Sequence, residues 1–345
     1  MSLPEPRANP DLLGHAAAEA TLAAALAAGR LHHAWLIAGP EGIGKATLAY
    51  RFARFLLAAR PPRPDAGPLA LDPADPAFRR VAAGAHADLM TIERGYDEKR
   101  KRKRQVIIVD DVRKLGGFMA LTPAEGGWRV AIVDGAEEMN PAAANALLKI
   151  LEEPPDRAVL LVTTAAPGRL LPTIRSRCRR LNLAALNEAD MRTLLARALP
   201  KLDEAARDRL AALAEGSPGR ALALAEADGP RLAGLVDRVL AALPDPPPGL
   251  GHEIADALGR GEGEGFGVFM DLLRASLAAL VREAARGDAE PDQARLIGRH
   301  PLAAWGDVWQ ALTRLQDETE SVSLDRRQAV LASLALLADP AQGLS

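Results

Sequence analysis

The sequence predicts an α/β domain built on a parallel sheet with helices on both faces. A small helical domain and an all-helical C-terminal domain follow. Three observations carry this. Short apolar runs of strand length alternate with helix-period segments over residues 31–183. The strand pattern stops after residue 186. Beyond that point the chain is helix-periodic, interrupted by turn-forming clusters at 216–219, 244–248 and 259–267. The expected domains are therefore 1–185, 186–239 and 240–345, which suits a 345-residue chain at roughly 100–200 residues per domain.

Taken in order, residues 15–29 read as an amphipathic, alanine-rich helix ending at Gly29. Ala34–Ala38 is a short apolar strand, and 39–44 is a glycine-rich turn. Helical spacing returns over 45–59, with Leu48, Ala49, Phe52, Phe55 and Leu56 on one side. The proline-rich stretch 60–76 reads as a loop or irregular insert. Val106–Val109, Val130–Val133 and Val159–Val162 are three further strand-like runs, and 141–151 is a helix with Pro141 near its start. Residues 187–228 and 229–345 are helical between their breaks. Trp305 and Trp309, four apart, share a helix face and serve either core or interface.

Composition excludes several classes of function. The chain has 43 Lys+Arg against 45 Asp+Glu, a net charge of −2, so there is no global pull toward nucleic acid or membrane. A single cysteine excludes an intramolecular disulfide framework and any cysteine-clustered zinc site, and it fits a reducing, cytoplasmic setting. The N-terminus lacks a basic segment followed by an apolar run, so no targeting sequence or membrane partner is expected.

The chemistry begins at Gly39-Pro40-Glu41-Gly42-Ile43-Gly44-Lys45. The spacing G-x-x-x-x-G-K after a strand and before a helix is that of a phosphate-binding loop. Gly39, Gly42 and Gly44 let backbone N–H groups wrap a phosphate at a helix N-terminus, and Lys45 reaches its oxygens. The plain alternative is a tight strand–helix turn with a surface lysine. The next position should carry a magnesium-binding hydroxyl, and here it is Ala46. Thr47 stands one residue on, about 100° around the helix, and should not reach the same point. Val130–Val133 leads into Asp134, which suits a water-mediated magnesium ligand, or a carboxylate capping the following turn. In those P-loop ATPases that place a water-polarising glutamate straight after this acid, the position corresponds to Gly135 here. The expectation is that ATP or ADP binds at most to a degraded site, with magnesium weak or absent and hydrolysis impaired.

Several motifs occur together in order. They are His33-Ala34-Trp35-Leu36-Ile37, Leu121-Thr122-Pro123-Ala124-Glu125-Gly126-Gly127-Trp128, Leu147-Leu148-Lys149-Ile150-Leu151-Glu152-Glu153-Pro154-Pro155 and Ser176-Arg177-Cys178. Over roughly 30–225 the chain resembles the bacterial clamp-loader AAA+ subunits. That resemblance implies a P-loop AAA+ domain, a helical lid and a C-terminal collar in a five-subunit ring that loads the sliding clamp onto primed DNA. It implies gamma/tau motor subunits and a delta subunit as partners. It makes Arg177 an arginine finger acting in trans on a neighbour's nucleotide, Thr163 and Thr164 the place of the first sensor, and Arg220 in Ser217-Pro218-Gly219-Arg220 the second. A degraded loop beside an intact Ser-Arg-Cys implies a stator rather than a motor. Many relatives carry a four-cysteine zinc module; here 60–90 has no cysteine, so no zinc is expected.

Two other functions remain open at this point. One is a hydrolysing motor of the same family working through Lys45 and Asp134. The other is a DNA-binding adaptor acting through the consecutive cations Lys99, Arg100, Lys101, Arg102, Lys103 and Arg104, whose affinity would fall steeply with salt. Cys178 reads as a small buried hydrophobe rather than a reactive thiol.

Overall fold

A computed structural model describes residues 4–58, 67–97, 102–259, 265–322 and 325–340. The chain separates into two compact units: Met1–Arg207 with Ala214–Arg220, and Asp208–Leu213 with Ala221–Ser345.

The first unit runs α1 (Ala16–Ala27), β1 (Ala34–Ala38), α2 (Lys45–Leu57), α3 (Pro76–Ala82), β2 (Leu89–Ile92), β3 (Tyr96–Asp97), β4 (Arg102–Lys103) and α4 (Val109–Met119). It continues with β5 (Arg129–Val133), α5 (Pro141–Glu152), β6 (Ala158–Thr164), α6 (Pro172–Arg177), β7 (Arg179–Asn182) and α7 (Glu188–Ala198). Five strands form a sheet in the order β2-β5-β6-β1-β7, and every pair in it is parallel. This is the α/β fold with a parallel sheet that the strand–helix alternation predicts.

Side-chain alternation explains the two covered faces. Ala34 and Leu36 of β1 join Ala131, Val133, Leu160 and Val162 in one core with Val112, Leu115, Leu147, Leu151 and Ile174. Trp35 and Ile37 point the other way and are fully buried, as are Leu48 and Phe52 of α2, which packs on β1, β5 and β6. At the start of α5 the Asn140 side chain accepts from Ala143 N (2.8 Å), and Pro141 takes the first helical position. Pro154 and Pro155 follow its end, where a helix cannot continue.

The run Val106–Val109 is not a strand. Ile107 makes an isolated bridge to Met139, and Val109 already opens α4. The sheet position is filled by β2, whose Leu89, Met90 and Thr91 are only half-buried. A buried ion pair steadies this edge: Asp88 meets Arg129 at 3.0 Å and accepts from Ala124 N (2.8 Å) and Glu125 N (3.1 Å). Arg129 also donates to Phe118 O and Thr122 O. The segment 121–128 is thus tied down by its own backbone groups.

Among its described residues the second unit is all helix. Its full-length helices are α10 (Gly229–Ala241), α11 (Leu250–Gly259), α12 (Gly265–Arg286), α13 (Pro291–Ile297), α14 (Leu302–Val322) and α15 (Arg326–Ala338). The division between units passes through α8 (Glu204–Ala214) and α9 (Pro218–Glu226). Within the second unit α12 packs on α10, α13 and α14, and α15 packs on α11 and α14. The two tryptophans part company. Trp305 is 1% exposed and donates from Nε1 to Ile297 O (3.0 Å), whereas Trp309 is 40% exposed under the Arg274 guanidinium. No helix among the described residues is long and apolar enough to cross a membrane.

Candidate functional site

The parallel register sets the site. Ile37 and Ala38 lie opposite Thr163 and Thr164, and Val133 lies opposite Val162. The loop 39–45, Asp134 and the two threonines therefore emerge at the C-terminal edge of neighbouring strands, where open parallel sheets bind ligands. Gly39 N continues the ladder to Thr164 O (3.2 Å).

The loop needs its glycines. Gly42 and Gly44 have φ of +72° and +102°, in the region that favours glycine. A Cβ on Gly39 would lie 2.4 Å from Leu183 O, and one on Gly42 would lie 2.5 Å from Ser217 Oγ. Five consecutive loop carbonyls are engaged within the chain. Lys45 Nζ donates to Gly39 O (2.9 Å) and Pro40 O (2.6 Å). Ser217 Oγ donates to Glu41 O (2.8 Å), and Gly219 N donates to Gly42 O (2.9 Å). His15 Nε2 lies 2.7 Å from Ile43 O. Burial lowers the Lys45 pKa, opposed by the charges of Glu137, Glu41 and Asp134. Position 46, in the first turn of α2, presents only a methyl group, and Thr47 is buried in the same helix.

At the end of β5 the Thr163 hydroxyl donates to Asp134 Oδ1 and accepts from Gly135 N (3.0 Å). Thr164 Oγ1 accepts from Ala166 N (3.2 Å). Gly135 has a φ of +73°, and a Cβ there would lie 3.0 Å from Glu138 Oε2. A glutamate at 135 would be strained in that backbone. Glu137 reaches across to accept from Ala165 N (2.7 Å), and its Oε2 is buried without a partner among the described residues.

Arg177 closes α6. Ile174 and Cys178 anchor that short helix in the core, and burial pushes the Cys178 thiol up to about 12. The Arg177 side chain is 37% exposed; Nη2 meets Glu152 Oε1 at 2.9 Å and Nη1 donates to Thr173 O (3.1 Å). Its polar contacts are with these two residues rather than with the loop. Arg220 sits in the first turn of α9. Its N–H donates to Ser217 Oγ (3.2 Å) and its guanidinium pairs with Glu215 (3.1 Å). Thus the backbone of the 216–220 segment touches the loop while the Arg220 head group turns elsewhere. Of the basic run, Lys99, Arg100 and Lys101 lie outside the described residues. Arg102 and Lys103 form β4, and Arg104 pairs with Asp111 (3.1 Å).

The sequence alone gives no role to His15 or Glu152. The motif Leu147–Pro155 is the only signal for Glu152, and the folding of α6 against α5 is what gives it a partner.

The sequence model of the family described as "DNA polymerase III, delta subunit" matches residues 14–187. The chain belongs to this family. It is 43% identical over 186 residues to DNA polymerase III subunit delta' of Pseudomonas aeruginosa, covering 54% of this chain and 53% of that one. It is 38% identical over 208 residues to subunit delta' of Escherichia coli, covering 60% and 58%. DNA polymerase III subunit gamma/tau of Mycobacterium bovis is 35% identical over 192 residues, covering 56% of this chain and 31% of that relative. The chain therefore spans between about a third and three fifths of the length of these relatives.

Proposed function

We propose that this chain is a delta-prime-like stator of the bacterial DNA polymerase III clamp loader, helping to load the sliding clamp onto primed DNA. Its partners in that role are gamma/tau motor subunits, a delta subunit, the clamp and the DNA. It supplies Arg177 in trans to the γ-phosphate held by a neighbouring motor, where a guanidinium neutralises charge building in the transition state. It does not run a hydrolytic cycle of its own.

One observation carries this reading. The arginine turn is exposed and keeps donors to spare, while two catalytic positions of the chain's own nucleotide site are occupied by Ala46 and a Gly135 at positive φ. The loop fits a phosphate chain of ATP or ADP: its glycines, Lys45 and the N-terminus of α2 supply donors. It does not fit magnesium. Position 46 has no oxygen, and one Asp134 oxygen already accepts from Thr163.

The test is ATP turnover by the reconstituted complex, stimulated by clamp and primed DNA, with Arg177→Ala and separately Lys45→Ala in this chain. The stator reading expects a loss from the first and none from the second. A complex indifferent to Arg177→Ala refutes it. Turnover by the isolated chain that is lost in Lys45→Ala establishes a motor instead.

A further inference from the structure

Glu152 is the last residue of α5, the end where the helix dipole is negative. A carboxylate there is disfavoured by its own helix, so helix stability does not account for it. What it faces is Arg177. Leu151 and Cys178, the residues next to each, are both buried in the same core, together with Leu147 and Ile174. These anchors fix the two backbones, and the side chains meet at the surface with Nη2 to Oε1 at 2.9 Å. The second hold on the guanidinium is the Thr173 carbonyl, one turn back in α6. An arginine has five N–H donors, and these two contacts leave the others available.

We propose that Glu152 is a positioning residue for Arg177. It grips one edge of the guanidinium so that the remaining donors are set before the neighbouring subunit arrives. This rests on the finger reading of Arg177 and adds a residue to it. The ion pair is half-exposed, 37% and 50% for the two side chains, and pairs of that kind contribute little to folding. Its effect on stability and its effect on the neighbour's chemistry are therefore separable.

The experiment uses the full clamp-loader complex with Glu152→Ala, Glu152→Gln, Arg177→Ala and the Glu152→Ala/Arg177→Ala double variant. The readouts are kcat and KM for ATP and the melting temperature of this chain. Glu152→Ala is expected to lower kcat about tenfold, within the range for a misplaced catalytic group. KM and melting temperature stay unchanged. Glu152→Gln, which keeps an acceptor oxygen, recovers most of the loss. In the Arg177→Ala background Glu152→Ala costs nothing further. Three results overturn the proposal while leaving the finger reading intact: no effect of Glu152→Ala, a loss that adds in full to that of Arg177→Ala, or a gain in turnover that makes Glu152 a restraint. If Arg177→Ala is itself silent, the finger reading fails first, and the two failures are told apart.

Discussion

In the loop at 39–45, five successive carbonyls and the lysine amine are engaged within the chain. At the turn 172–178, the Arg177 guanidinium makes two polar contacts and its side chain is more than a third exposed. The loop keeps its glycines and lysine but has Ala46 where the motif needs a hydroxyl, whereas Ser176-Arg177-Cys178 is intact. Carbonyl engagement leaves the loop's N–H donors for a phosphate, so the two segments differ in how far the chain's own contacts fix each of them. Gly39 and Gly42 are demanded by packing, since Leu183 O and Ser217 Oγ occupy the space a Cβ needs. That demand holds whether or not a nucleotide is turned over. The outer half of Arg177 is held only by Glu152 and the Thr173 carbonyl, so core packing does not account for its side chain.

Gly39→Ala should have the largest effect on folding, because the clash is with backbone and cannot be relieved by a rotamer change. We expect a loss of about 3 kcal/mol, read from the denaturant midpoint. An unchanged midpoint would remove packing as the reason for the glycine. Ser217→Ala deletes the donor to Glu41 O and the acceptor for Arg220 N. It should cost about 1 kcal/mol in the same assay. If it costs nothing, the hold of this segment on the loop is decorative.

The arginine turn has a sealed inner half, and Cys178 reports on it. Its folded pKa of about 12 exceeds the unfolded value of about 8.5. The folded state therefore keeps its proton longer. The resulting stability is fully present below pH 8.5 and is lost as pH rises from there toward 12. Alkylation of the native protein at pH 8 should be slow and should accelerate only on unfolding. Rapid labelling of the folded chain would show that the turn is open throughout. The smallest expected effect is from repair. Ala46→Ser together with Gly135→Glu should not confer turnover on the isolated chain, because position 135 sits at a φ of +73°. Measurable hydrolysis by that variant would mean the backbone can relax and that only two side chains separate stator from motor.

Much of this was legible in the sequence and some was not, for definite reasons. β1, β5 and β6 are continuous apolar runs because the sheet buries both faces, and they read correctly. The edge strands did not. Half-buried β2 carries Thr91, and β7 buries only Leu181 among Arg179, Arg180 and Asn182. Val106–Val109 mimicked a strand because four residues cannot separate a strand from the entrance to a helix. Trp305 and Trp309 looked equivalent at helical spacing, yet only tertiary packing decides which enters the core. The missing hydroxyl at Ala46 was visible in the sequence, whereas the backbone geometry that holds Gly135 to glycine was not. Neither was the pairing of Ser217 with Glu41 or of Arg177 with Glu152, since contacts between distant segments leave no local period.

We propose that this chain contributes to catalysis through Arg177 and not through its own phosphate loop. The most direct measurement compares clamp- and DNA-stimulated ATP turnover in complexes carrying either Arg177→Ala or Lys45→Ala in this chain alone. At a neighbouring nucleotide site facing Arg177, the expected result is a loss approaching the roughly thousandfold or more seen when arginine fingers are removed, and no change from Lys45→Ala. Loss of turnover with Lys45→Ala while Arg177→Ala behaves as the unsubstituted complex would contradict it.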